Sequence, residues 1–233
     1  KPPHGSNPDP RLIQITVRHL LEHKAGWDAT AAFDPFSRLH EIQQSLHLSR
    51  RPRPVDVVRY MLGEPLQFDP GQKTAPSNFG YCVLGRVIEK ASGKSYAAYV
   101  ADDLFQPLGV DDVKLARGLV RERDPREVSY PVKDVLTEAT DSYGGLVASA
   151  PSLCKFLDAY WVNGEPRRPG DDYQWAYFGN FEGTTALIRQ RPDGYNVAVL
   201  CNGSRKESLR DEDDRALARL VEEAIDQIAA RIK

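Results

Sequence analysis

The sequence predicts an α+β chain: a mostly helical region first, then a small antiparallel sheet, then one long closing helix. Three observations carry this. Apolar residues recur at helical spacing from residue 17 to about residue 160. The period changes after about residue 172, where three apolar runs of strand length are separated by turn residues. The final stretch again spaces its aliphatic residues for one helix face, with charged residues between them. The expected organisation is a single domain over residues 1–233, helical over about 15–160 and made of sheet and closing helix over about 172–233.

Taken in order, residues 1–14 read as an irregular, proline-rich entry. Thr16 suits the N-cap of a short helix over 17–23, since its hydroxyl can accept from a first-turn N–H, and Leu20 and Leu21 take the apolar side. A loop with Gly26 and Trp27 follows. Phe36, Leu39, Ile42 and Leu46 are spaced for a helix over 35–46. Residues 50–54 are basic and proline-broken, which reads as a solvated linker. Pro54 suits the first turn of a helix that carries Val57, Val58, Tyr60, Met61 and Leu62 and stops at Gly63. Phe68-Asp69-Pro70-Gly71 signals a turn. Ser77 or Asn78 can cap a helix running to about Lys90, closed by Ala91-Ser92-Gly93.

Residues 95–105 predict another helix, stopped by Pro107 and Gly109. Residues 110–140 are charged and irregular, with a short extended piece near 128–132. Gly144-Gly145 leads into a helix over about 151–160, and residues 163–171 form a loop rich in Gly, Pro and Arg. Strands are expected over 173–178, 184–190 and 195–201, with Pro192-Asp193-Gly194 as the hairpin turn between the last two. From Ser204 the chain turns helical, with Leu209, Leu217, Leu220, Val221, Ile225, Ile228 and Ile232 marking its apolar side.

Charge and composition exclude several functions. Lys plus Arg number 31 against 33 Asp plus Glu, a net charge of -2, so nothing electrostatic favours nucleic acid or an anionic membrane as partner. No apolar run approaches the roughly 20 residues of a membrane span. The polar start does not read as a signal peptide, and the compartment is not legible. Cys82, Cys154 and Cys201 each sit in an apolar stretch without a Cys-x-x-Cys pair, and read as buried free thiols. No cofactor is expected. His19 and His23 have the spacing of paired ligands on a helix, but no third ligand is evident, so they read as structural. Glu138, Asp141 and the carboxylates of 207–214 read as solvated faces, with no acid/base couple among them.

Five segments resemble, in order, the β-lactamase-related serine hydrolases, which include class C β-lactamases, small penicillin-binding proteins and family VIII esterases. They are Ile15-Thr16-Val17-Arg18-His19-Leu20-Leu21-Glu22-His23 with Gly26; Phe68-Asp69-Pro70-Gly71 followed by Ser77-Asn78-Phe79-Gly80-Tyr81-Cys82-Val83-Leu84-Gly85-Arg86-Val87-Ile88-Glu89; Leu104-Phe105-Gln106-Pro107-Leu108-Gly109; Gly144-Gly145-Leu146-Val147-Ala148-Ser149; and Gly183-Thr184-Thr185 with Arg191-Pro192-Asp193-Gly194 and Leu200-Cys201-Asn202. The resemblance implies a truncated β-lactamase/transpeptidase-like fold and acyl transfer through a serine ester, on an ester, β-lactam or peptidoglycan-peptide substrate.

The chemistry of that family needs a serine activated by a base, a proton-transferring phenol beside an amide, and a cationic Lys or His on a strand. The resemblance places the Ser-x-x-Lys element upstream of Ile15, and the 14 residues before Ile15 hold no such motif. It places Pro76 where the phenol is expected, with Ser77 and Asn78 beside it, and Tyr177-Phe178-Gly179 where the strand cation is expected. Proline has no proton to transfer, and a tyrosine near pH 7 is neutral. The expectation is therefore a catalytically inactive homologue that keeps Ser77, Asn78, Tyr177 and Gly179 as ligand contacts for a small acyl or peptide molecule. A competing expectation is an active hydrolase using Ser152 and Lys155, or a nucleophile from a segment outside these residues. A third is an interaction module: the family completes its sheet with strands from its N-terminal region, so the strand at 195–201 is expected to offer an unpaired edge for self-association or strand pairing.

Overall fold

Helix starts in this chain follow the capping residues. The computed structural model describes residues 7–117, 122–127, 138–168, 175–181, 184–191, 193–202 and 211–232. It divides into two units, 1–123 with 134–147 and 124–133 with 148–233, each taken by itself below.

In the first unit the Thr16 hydroxyl accepts from the His19 N–H at 3.1 Å and starts α1 (Val17–Leu21). The helix is shorter than expected because His23 takes a left-handed conformation at φ +56°. A helix of little more than one turn buries one side: Leu20 is in the core, whereas Leu21, expected beside it, is exposed. Asp34 accepts from the Phe36 N–H and caps a 3-10 turn, Pro35–Arg38, that runs into α2 (Leu39–Ser45). The one helix expected over 35–46 is thus two pieces.

Pro54 starts α3 (Pro54–Met61), where the missing N–H of proline costs nothing. Asp56 ties the preceding basic run down by accepting from Arg53 N–H and pairing with Arg50 at 2.6 Å, so this segment is less solvated than its composition suggests. Ser77 caps α4 (Asn78–Ser92), which Gly93 ends at φ +72°. α5 (Tyr96–Tyr99) passes into a π-helical stretch, Val100–Phe105, and a 3-10 turn before Gly109. The core gathers Leu20, Trp27, Ile42, Val57, Tyr60, Met61, Phe79 and Cys82.

A two-residue ladder closes this unit: β1 (Lys114–Leu115) pairs antiparallel with β2 (Leu146–Val147). The extended piece expected near 128–132 lies outside the described residues, as does the side chain of Glu138. Asp141 is not on a solvated face. It is 8% exposed and pairs with Arg86 at 2.5 Å, because a buried carboxylate needs a cation beside it.

In the second unit, Ser149 caps α6 (Ala150–Ala159). A three-stranded antiparallel sheet runs in the order β3 (Trp175–Phe181), β4 (Thr184–Gln190), β5 (Asn196–Asn202), with ends one to three residues off the expected strands 173–178 and 195–201. Leu157, Trp161, Leu187 and Gln190 are buried. The closing helix is α7 (Asp211–Ile232). Its Glu222 reaches Arg189 at 2.7 Å and Arg191 at 2.8 Å, and its Asp226 reaches Arg191 at 2.7 Å. At 100° per residue, Leu220 and Ile228 lie on the side away from Glu222, and both are exposed rather than on an apolar contact face. Leu209, the side chains of Leu217 and Ile232, and the carboxylates of 207–214 lie outside the description. Of the three cysteines, all free, only Cys82 is buried; Cys154 is half-buried and Cys201 is exposed near the end of β5.

Candidate functional site

The turn after α1 sets one half of the expected site. His23, in its left-handed conformation, turns its ring so that Nδ1 accepts from the Ser77 N–H at 3.1 Å, while its carbonyl accepts from Ala75 N–H at 2.9 Å. The ring packs against Tyr81, with centroids 5.1 Å apart. An Nδ1 that accepts must be unprotonated, and burial pushes the His23 pKa down. Gly26 holds the next bend at φ +112°; a Cβ there would stand 2.8 Å from the Phe68 carbonyl oxygen, so glycine is required.

Ser77 is buried and serves α4: its hydroxyl accepts from Gly80 N–H at 3.2 Å. Asn78, one residue on, is exposed, and its Nδ2 donates to Asp34 Oδ2 at 2.7 Å. Pro76 is exposed beside them. Asp34 thereby links the start of the 3-10 turn to the start of α4. Tyr143 packs against Phe36 nearby, its ring tilted by 38° with centroids 4.1 Å apart, and burial first, then the Asp34 charge, push its phenol pKa well up.

Between these elements lies a small cavity of about 10 Å3, room for about one water molecule. Trp27, Phe33, Asp34, Glu64, Asn78 and Phe79 are among its walls. Trp27 stands edge-on to Phe79 at 4.5 Å, and its buried indole N–H has no hydrogen-bond partner. Sequence reasoning singled out Ser77 and Asn78 but missed Asp34, Glu64 and Trp27. Asp34 before Pro35 carries only a helix-start signal, and nothing in the sequence pairs it with a residue 44 positions later.

The remaining expected residues belong to the second unit. Tyr177 and Gly179 lie two apart on β3, so they share one face, and both are exposed. Their register partners on β4 are Ile188 and Ala186. Ser152 is 7% exposed in the first turn of α6 and takes a hydrogen bond from the Ser149 hydroxyl at 3.1 Å, whereas Lys155 is exposed.

β5 ends the three-stranded order. Arg191 N–H donates to Tyr195 O, so by alternation the even residues of β5 direct their backbone groups outward. At Asn196 and Ala198 those groups meet the Cys154 thiol of α6, which donates to Asn196 O at 3.8 Å and receives from Ala198 N–H. Among the described residues, the outward groups of Leu200 and Asn202 have no such cover.

Among the described residues no group of three or more His, Cys, Asp or Glu side chains is placed to hold a metal ion. His19 and His23 are spent on α1 and on Ser77. No described helix is long and apolar enough to cross a membrane.

An α+β arrangement of this kind, with a capped Ser-Asn at the head of a helix and a Gly-bearing strand, defines a β-lactamase/transpeptidase-like fold. The chain belongs to the Beta-lactamase family, whose model matches residues 6–222. It is similar to a probable fimbrial assembly protein FimD, serogroup H1, of Dichelobacter nodosus, at 38% identity over 98 residues, which is 42% of this chain and 22% of that protein. It is similar to penicillin-binding protein 4* of Bacillus subtilis at 33% identity over 128 residues, 53% of this chain and 26% of that protein. The chain thus spans about a quarter of the length of these curated relatives. In structure it resembles a D-amino acid amidase from Ochrobactrum anthropi SV3, solved with L-phenylalanine, with a TM-score of 0.66 at 17% identity over 99% of this chain and 79% of that one.

Proposed function

We propose that this β-lactamase-family chain binds a small acyl or peptide ligand without forming a covalent acyl intermediate on its own residues. The observation that carries this is Pro76: it stands exposed beside Ser77 and Asn78, where the resemblance calls for a phenol, and has no proton to give or take. Tyr177 in place of a cation supports the same reading, because a neutral phenol can hydrogen-bond a carbonyl but cannot stabilise an oxyanion as a charge would. The buried, partnered hydroxyl of Ser152 supports its role as a helix-start residue. Asn78, exposed in the first unit, and Tyr177 and Gly179, exposed in the second, are the residues assigned to ligand contact, whereas Ser77, expected beside them, is buried with its hydroxyl on the Gly80 N–H and serves the start of α4.

Intact-mass spectrometry after incubation with a fluorophosphonate probe and, separately, a reactive β-lactam tests this. The expected result is no adduct beside a labelled active control. A stoichiometric adduct, mapped to Ser152 or elsewhere, overturns it, and an adduct lost on Ser152→Ala establishes an alternative nucleophile.

A second reading is favoured by the outward groups of Leu200 and Asn202 on β5: strand pairing with another chain. Light scattering over a dilution series tests it. Self-association weakened by Leu200→Pro supports pairing, and a monomer at every concentration removes it.

A further inference from the structure

We infer that the His23 ring is a proton-operated latch on the head of α4: neutral, it holds Ser77 and Asn78 in place, and protonated, it releases them. Given the reading above that Asn78 meets a ligand, the latch makes ligand capture at Asn78 depend on pH. Three bonds lace residues 71–77 to the turn after α1. Gly71 N–H donates to Lys24 O at 2.8 Å, Ala75 N–H to His23 O at 2.9 Å, and Ser77 N–H to His23 Nδ1 at 3.1 Å. The first two join backbone groups, which do not titrate where a histidine does. The third lies next to Asn78 and requires a bare Nδ1.

The usual acceptor for the Ser77 N–H is missing. In a capping box, a Glu or Gln three residues into the helix accepts from the backbone N–H of the capping residue. Here that position is Gly80, which has no side chain, and His23 takes over the task from another element. Ser77 is buried, so water is a poor replacement. A protonated ring carries hydrogen on both nitrogens and sets Nδ1–H against Ser77 N–H, donor against donor. His23 also sits at φ +56°, a conformation unfavourable for a residue with a side chain, and the bonds to Ala75 and Ser77 help to hold it there. Release at Ser77 reaches Asn78 as the next residue and, through the Asn78 Nδ2 bond, Asp34 at the start of the 3-10 turn.

The charged groups around the ring are spent on one another. α4 turns Tyr81 to the ring, and its charged residues begin at Arg86, about two and a half turns past Ser77. α1 and its exit carry Arg18, His19, Glu22 and Lys24. Glu22 pairs with Lys24 at 2.8 Å and with Arg18 at 3.6 Å, and His19 Nδ1 accepts from Thr16 N–H. Lys73, from residues 71–77, pairs with Asp28 at 2.9 Å. Burial lowers the His23 pKa, so the bond is complete at neutral pH and opens as pH falls through a value below about 6.5.

The test is an NMR titration of the ligand-free, 15N-labelled chain from about pH 8 to about pH 5. At the upper end the His23 ring nitrogens are expected to report an unprotonated, hydrogen-bonded Nδ1. On acidification the His23 ring, the Ser77 amide and both Asn78 Nδ2 protons are expected to move with one shared midpoint below about 6.5. Protection of the Ser77 N–H from solvent exchange is expected to fall roughly five- to tenfold, as loss of one hydrogen bond gives. His23→Gln is expected to abolish the step in the Asn78 signals and His19→Gln to keep it, with unchanged circular dichroism confirming that both are folded. An Nδ1–H tautomer at the upper end, Asn78 signals that stay still while the ring titrates, a step that survives in folded His23→Gln, or a step lost in folded His19→Gln overturns the inference. The first two outcomes need no variant. A covalent adduct in the mass-spectrometric experiment would overturn the non-covalent reading and leave this ligand-free titration fully readable, so the two can fail separately.

Discussion

Both units combine local caps with distant bonds, but the helix starts of the first and the buried amide of the second show the two kinds of bond at their extremes. In the first, the side chains that start the helices sit next to them in sequence: Thr16 before α1, Asp34 before its 3-10 turn, Ser77 before α4. In the second, the decisive bonds join residues far apart. Gln190, fully buried on β4, donates to the carbonyls of Leu157 and Tyr160 and accepts from Val162 N–H, so one amide satisfies three backbone groups at the end of α6. Arg191 likewise gathers Asp193, Glu222 and Asp226. A local cap replaces a bond that water could also make, whereas a buried distant bond has no such substitute.

The difference has a measurable size. Gln190→Ala strands three backbone groups and opens a void at a fully buried position, and is expected to lower stability by about 3 kcal/mol or more. Urea unfolding of the second unit, followed through exchange of the β4 amides, reads this directly. A loss no larger than that of a single cap would break the contrast between the units.

Arg191→Ala comes next. The guanidinium is 11% exposed and makes three ion pairs, but Asp226 is 65% exposed, so part of the network is already screened by water. The expected loss is about 1–2 kcal/mol, between an exposed pair and a buried one. It is also expected to shrink in high salt, which the Gln190→Ala loss is not. Parallel urea curves at low and high salt separate the two.

Ser77→Ala removes a cap in the first unit and is expected to cost about 1 kcal/mol. The smaller figure follows because one hydrogen bond is lost rather than three and only a hydroxyl is removed. A loss as large as that of Gln190→Ala would mean that Ser77 also holds the His23 turn in place.

The same contrast governs what the sequence makes legible. Caps, the proline at the start of α3 and the glycine turns at Gly93 and Gly194 act over two to four residues, and each could be read from its neighbours. The β1–β2 ladder could not, because two residues per strand leave no periodicity to detect. Leu21, Leu220 and Ile228 show the limit of apolar spacing: it marks a stripe but not how much of that stripe a short or ion-tied helix buries. The site divides likewise. Ser77 and Asn78 lie within a contiguous motif, whereas Asp34, Glu64 and Trp27 reach the same cavity only through folding of the first unit.

The smallest expected effect is a pH dependence that originates at one of the long-range bonds of the first unit. His23 Nδ1 accepts from Ser77 N–H, so the bond exists only with the ring neutral, and burial lowers the His23 pKa. In the unfolded chain the same ring titrates near the ordinary value of about 6.5. Below that pH the unfolded state binds the extra proton first, so the contribution of His23 is complete above about pH 6.5 and is lost as pH falls toward the lowered folded value. The carboxyls of Asp9 and Asp28 are held below the usual range chiefly by their side-chain hydrogen bonds, to Arg11 and to Thr30 respectively; they fail at more acid pH and give a separate step. Urea midpoints from about pH 8 to about pH 5 are expected to decline below about pH 6.5 in the unaltered chain and to stay level in His23→Gln until the carboxylates titrate. A decline unchanged in His23→Gln would place the titrating group elsewhere and reduce the His23–Ser77 bond to one local contact among many.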